Sequence, residues 1–160
     1  MNMRKTHRSF VSYIDKSREY YGAQGYEKAY GWAHFDEVPF TALGKPLSEC
    51  RVGVVTTADK APRGAPRADK LFVAPKQDAN SLFTDKSWDR EATHTDDSET
   101  YLPIERIEEL VAAGKVGSSS ERFYGVPTDY SQRLTSNEDA PQVANWMRED
   151  GVDIALLIPL

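Results

Sequence analysis

The sequence is poor in cysteine, in long apolar runs and in excess positive charge. Its only cysteine is Cys50, which excludes internal disulfides and cysteine-rich zinc sites. No apolar run approaches the roughly 20 residues needed to span a bilayer. The start, MNMRKTHRSF, lacks the apolar region of a signal peptide. A cytoplasmic location is the expectation. Net charge is −5, which argues against nucleic-acid and anionic-membrane partners. No G-x-G-x-x-G, Walker, G-x-S-x-G or H-E-x-x-H pattern occurs, so nothing specifies a nucleotide, a serine nucleophile or a zincin site.

What is present reads as one α/β unit behind an aromatic arm. Residues 1–50 carry Phe10, Tyr13, Ile14 and Tyr21 near helical spacing, predicting an amphipathic helix over 4–21. Tyr26, Tyr30, Trp32, Phe35 and Phe40 follow in a Gly- and Pro-bearing stretch, where they are expected to cover core surface. Residues 51–160 read as the α/β domain. RVGVVTT (51–57) is β-branched and apolar, the mark of a central parallel strand buried on both faces. LFVAP (71–75) is a short strand candidate, 76–92 reads as loop, and a further short strand is expected near 123–126 within an irregular 118–138.

Two helices are predicted within 51–160. In the first, Pro103 suits the first position. Ile104, Ile107, Leu110 and Val111 share a face, and Gly114 supplies the stop. In the second (138–151), Asp139 is placed to cap, Pro141 lies in the first turn, and Val143, Trp146 and Met147 form the stripe. Gly151 ends it, and VDIALLI (152–158) reads as a buried last strand. A strand there is expected beside 51–57, reached by a right-handed crossover. The fold expected is a three-layer α/β sandwich with a mostly parallel sheet, incomplete at the C-terminus, with apolar sheet surface left uncovered there.

Candidate chemistry lies in two loops. His94, Asp96, Asp97, Ser98 and Glu99 stand together. Three readings are open: a capping and turn loop, a catalytic or substrate loop with an imidazole–carboxylate pair, and a divalent-metal site. The loop 58–70 is locally basic and follows the carboxyl end of the first strand, where ligands gather in parallel sheets. Arg63, Arg67 and Thr57 are its candidate anion ligands, against the alternative of a plain solvated loop. Cys50 sits at the amino end of that strand and reads as a small buried residue.

Four stretches in order, VPFTALGKPLSECRVGVVTTA, THTDDSETYLPIERIEELVAAGKVG, PTDYSQRLTSNEDAP and EDGVDIALLIP, resemble the glycine/sarcosine/betaine reductase selenoprotein B family. They are nearest its short branch, with the D-proline reductase selenoprotein subunit a more distant relative. The resemblance implies an oxidoreductase that reductively cleaves a small amino-acid-like substrate. A thiol or thioredoxin-type reductant and partner subunits go with it. It also implies that the last strand runs into a reactive selenocysteine or cysteine, followed by a cysteine- and histidine-bearing run and a β-α segment. The expectation is therefore that this chain holds no cofactor or metal, that selenocysteine belongs just beyond Leu160, and that the reading frame stops there at a UGA codon. His94, Asp96 and Asp97 match the family's histidine-containing loop and are the candidate side chains facing that residue.

Overall fold

A computed structural model describes residues 13–28, 31, 33–39, 41–62, 64–84, 94–129 and 131–160. Two compact units are present, Met1–Pro39 and Phe40–Leu160. In the first, helix α1 spans Tyr13–Ala23, which takes in the described part of the predicted helix and runs two residues past Tyr21; residues 4–12, Phe10 among them, lie outside the described residues. Tyr21 meets Tyr20 and Tyr26 edge-on, with ring centroids 5.3 and 5.9 Å apart. Tyr26 and Phe35 are exposed. Tyr30, Trp32 and Phe40 lie outside the described residues.

The second unit is an α/β sandwich around a mixed, mostly parallel five-stranded sheet. Strand β1 (Arg51–Thr56) is its centre. One edge of β1 pairs in parallel with β5 (Ile154–Ile158), from Val52↔Ile154 to Thr56↔Ile158. The other edge pairs in parallel with β3 (Ser118–Ser119) and then β4 (Arg122–Gly125). Register slips by two residues between β3 and β4, so Ser120 and Glu121 form a bulge. Strand β2 (Phe72–Pro75) pairs with β4 antiparallel. Its short length and the Pro75 that closes it fit an edge position.

Alternation along β1 explains the two helical layers. Val52 and Val54 face a core with Phe123, Ile107, Tyr101 and Leu102, which helix α2 (Ile104–Ala112) covers. Val55 faces the opposite core with Tyr124 and Val143, where helix α4 (Ala140–Glu149) lies. Ile107 is buried and Ile104 and Val111 pack beside it, but Leu110, predicted for the same face, is exposed. Gly114 and Gly151 end the helices at φ +68° and +65°, the left-handed conformation that glycine adopts without a Cβ clash.

Three local expectations are corrected. Residues Lys76–Ser81 form a 3-10 helix, not an open loop. Within 118–138, β4 is the short strand expected near 123–126, but the rest is not irregular: it also holds β3 and helix α3 (Gln132–Leu134), which runs through a π-helical segment Thr135–Asp139 into α4. Asp139 does not cap α4, because it is already in helical conformation and its side chain makes no capping bond. Its carboxylate is instead buried against Arg67.

The last strand is also unlike its prediction. It starts at Ile154 and is not buried: Leu156 is 38% and Leu157 75% exposed. An apolar run predicts a strand with two covered faces only if neighbours exist on both sides. Among the described residues β5 has a partner strand only in β1.

The amino ends of the strands are held by ion pairs. Asp150 accepts two bonds from Arg122 Nε (3.0 and 2.9 Å) and one from the Tyr124 hydroxyl (2.6 Å). Burial works against the Asp150 carboxylate, but these donors hold it below the usual aspartate range. Burial, then the hydrogen bond to Asp150, pushes the Tyr124 phenol up to about 12. Asp153 receives Lys45 at 2.7 Å and the Arg51 amide at 2.8 Å. This end of the sheet is therefore built for stability.

Candidate functional site at the carboxyl edge of the sheet

Parallel strands point their carboxyl ends the same way, and loops there gather ligands in open α/β sheets. Three segments leave that edge: residues 57–59 after β1, 126–128 after β4, and 159–160 after β5. They are tied together by polar bonds. The Leu160 amide donates to Thr57 Oγ1 at 2.8 Å. The Thr128 hydroxyl donates to the Thr57 carbonyl at 3.4 Å, and the Val126 amide to the Thr56 carbonyl at 3.1 Å. Thr57, a candidate anion ligand, thus fixes the exit of β5. Replacing it by valine should cost about 1 kcal/mol and speed amide exchange at Leu160, with the rest of β5 unchanged. Hydrogen exchange and urea unfolding read both.

Helix α2 leads through Gly114–Gly117 into β3, which starts opposite Arg51 at the amino end. Its C-terminus is therefore at that end, and its N-terminus, with loop 94–103, is at the carboxyl edge. The loop's hydrogen bonds are those of a cap and turn. Asp97 Oδ1 accepts from the Glu99 amide at 3.1 Å. Glu99 accepts from the amides of Glu105 and Arg106 at 3.0 and 3.1 Å, satisfying first-turn donors of α2 with a charge that suits the helix dipole. His94 Nδ1 accepts from the Asp96 amide at 3.4 Å and lies 3.7 Å from the Asp96 carboxylate. Both side chains are exposed. Among the described residues no group of three or more His, Cys, Asp or Glu side chains is arranged to hold a metal ion.

Two described cations of the basic loop, Arg67 and Lys60, are paired with carboxylates. Arg67 grips Asp139 through both terminal nitrogens, at 3.0 and 2.5 Å, and lies 3.0 Å from Asp129 through Nε. Asp139 is 2% exposed. Burial pushes its carboxyl above the usual range, with Arg67 opposing and Asp129 reinforcing the rise. Arg63 lies outside the described residues. Lys60 pairs with Asp78 at 3.3 Å. Cys50 is buried, its thiol directed to the Pro46 carbonyl at 3.3 Å. A cavity of about 10 Å³ under α2, lined by Val52, Val54, Ile107 and Phe123 among others, has room for about one water.

The Arg67–Asp139 pair and the Thr57–Leu160 bond have no signal in sequence spacing, since the partners are 72 and 103 residues apart. Charge and position do mark the Glu99 cap: it precedes a proline-started apolar helix. No helix among the described residues is long and apolar enough to cross a membrane.

No protein-family model matches the chain, and no solved structure matches it. Among curated proteins, it is 22% identical over 145 residues to the glycine reductase complex component B subunit gamma of Peptoclostridium acidaminophilum. The match takes in 82% of this chain and 33% of that protein, so the chain spans about a third of the length of the curated relative. By fold and by this match, the chain is an α/β protein distantly similar to a subunit of the glycine reductase complex.

Proposed function

We propose that the chain forms the sheet of a selenoprotein B-type reductase component, with β5 delivering a reactive selenocysteine or cysteine placed just after Leu160. The observation that carries this reading is the clasp between Thr57 and Leu160. It holds the exit of a parallel strand at the sheet edge where α/β proteins do chemistry. The similarity to a glycine reductase subunit supports the same reading.

A selenolate or low-pKa thiolate there is ionised and nucleophilic at neutral pH. The reaction is reductive cleavage of a carbon–nitrogen bond in a small amino-acid-like substrate, with a thiol reductant restoring the reactive group. His94, Asp96 and Asp97 sit on the loop at the same edge of the sheet and serve to orient substrate or move a proton. Partner subunits accompany the chain, as the relative's name as a complex subunit suggests.

The codon after Leu160 tests the placement. UGA followed by a frame encoding a cysteine- and histidine-bearing run is the expected result. UAA or UAG with no such frame overturns it. A chain extended through that frame, with cysteine at the UGA position, should release amine from glycine, sarcosine or betaine in the presence of dithiol. Loss of that activity in His94→Ala, at unchanged thermal stability, would support the role of the loop.

A further inference from the structure

We infer that the Tyr101 hydroxyl is a substrate-binding group, donating a hydrogen bond to the carboxylate of a small zwitterion whose cationic nitrogen meets Asp97. Among the described residues, two buried side-chain atoms have no hydrogen-bond partner, Arg67 Nε and the Tyr101 hydroxyl. Arg67 Nε still has an Asp129 carboxylate oxygen at 3.0 Å. The Tyr101 hydroxyl has neither bond nor ion partner among the described residues, and the residue is 0% exposed. A buried tyrosine ordinarily finds a partner for its O–H. Leaving that donor unmade forfeits the hydration of the group with nothing in return, which points to a partner that binds there.

The place of the hydroxyl is that of the candidate site. Tyr101 closes the turn Ser98–Thr100 and stands three residues before α2, on the loop at the carboxyl edge of the sheet. It belongs to the same core as Ala58, which follows β1, and Leu160 packs on that core. The exposed Asp97 carboxylate acts on the phenol, so the hydroxyl lies within electrostatic reach of the surface loop. Burial, then Asp97, pushes the phenol up. It therefore offers a proton and no negative charge. The hydrogen bonds of residues 94–98 stay within 94–102 among the described residues. The turn can lift from Tyr101 without breaking a bond to the sheet.

Charge selects the ligand. Glu99 is engaged with the amides of Glu105 and Arg106, and His94 stands against Asp96. Asp97 uses Oδ1 on the Glu99 amide and is exposed, which makes it the carboxylate open to a cation. A simple anion would satisfy Tyr101 but face these carboxylates. A simple cation would suit them and leave the hydroxyl unpaired. A molecule with a carboxylate and a cationic nitrogen satisfies both. The amino-acid-like identity of that molecule rests on the reductase reading.

Tyr101→Phe keeps the ring and removes the orphan hydroxyl, so the 160-residue chain should melt roughly 2 to 4 °C higher without ligand. Binding is read by nuclear magnetic resonance on the unmodified chain, labelled with carbon-13 at the tyrosine ζ-carbons. The Tyr101 signal is the one that disappears in Tyr101→Phe, and it should move on titration with glycine or betaine. Acetate and tetramethylammonium, each with one of the two charges, should bind about tenfold more weakly than betaine. Asp97→Asn should weaken betaine and leave acetate no weaker. A lower melting temperature for Tyr101→Phe would reveal an internal partner and overturn the proposal. So would a Tyr101 signal indifferent to glycine and betaine, or acetate binding as tightly as betaine. The reductase reading fails on different results. If the extended chain releases no amine while Tyr101 still responds to betaine, that reading falls and this inference stands. Amine release by the extended Tyr101→Phe chain at unchanged KM gives the reverse.

Discussion

Gly117→Ala will destabilise the second unit by about 3 kcal/mol, the upper part of the range for forced overpacking. The melting temperature should fall by roughly 6 to 12 °C for a chain of this size. A Cβ at Gly117 would stand 2.6 Å from the Glu49 carbonyl carbon and 2.8 Å from both the Cys50 amide nitrogen and oxygen. All three are backbone atoms, so no side chain can rotate away. The same backbone carries the joint of the sheet: the amides of Gly117 and Ser118 both donate to the Cys50 carbonyl at 3.1 Å, just before β1 and β3 begin their parallel pairing. Moving it by even a few tenths of an ångström disturbs the first pairs of that ladder. Gly44→Ala is the control, since a Cβ there would meet nothing within 4 Å. Thermal denaturation of both variants checks the prediction. A melting temperature for Gly117→Ala within about a degree of the control would show that this backbone contact is not rigid.

Arg67→Met should cost about 3 kcal/mol, the lower end for breaking a buried pair by removing one partner. The loss comes less from the missing attraction than from the Asp139 carboxylate left buried without its cation. The double variant Arg67→Met, Asp139→Leu should recover much of it, because the uncompensated charge is gone. Acidity separates this account from lost packing. Asp139 already binds its proton more tightly than an ordinary aspartate, because burial outweighs Arg67. Without Arg67 its carboxyl moves further up. A carboxyl raised on folding gives stability that is fully present below the unfolded value and is lost as pH rises through the folded value. The deficit of Arg67→Met should therefore shrink as pH falls from 7 toward about 4, the unfolded aspartate range. Urea unfolding across that range reads it. A deficit independent of pH would point to packing. Asp150 and Glu108 run the other way: both are lowered by hydrogen-bonding donors. Their contribution is lost as pH falls, so the comparison is made against the unmodified chain at each pH.

The same pair shows why the two helical ends of this protein differ in legibility. Asp139 stands before an apolar stripe and a proline, the local pattern of a helix cap. The structure spends it on a long-range ion pair, and a π-helical turn carries the chain through that position. Glu99 takes the capping role at the other helix, from a loop whose acidity the sequence displays openly.

Local sequence determined the elements whose cause is local. Arg51–Thr56 is β-branched and apolar, and it is the central strand. Ile104, Ile107 and Val111 repeat at helical spacing, and they face the core. Gly114 and Gly151 stop helices because the left-handed turn needs a residue without a side chain. His94, Asp96 and Asp97 could be named as a polar cluster before a helix, and that helix's direction alone carries them to the carboxyl edge of the sheet.

Only the tertiary structure decided what depends on residues distant in sequence. The strand Phe72–Pro75 turned out antiparallel to Arg122–Gly125, Arg67 was paired with Asp139, and Thr57 was set to hold Leu160. The apolar run Ile154–Ile158 became an exposed edge, because the burial of a strand is fixed by its neighbours and not by its own composition. Pairing, charge partnership and exposure are properties of two segments at once, and one segment read by itself carries only half of each.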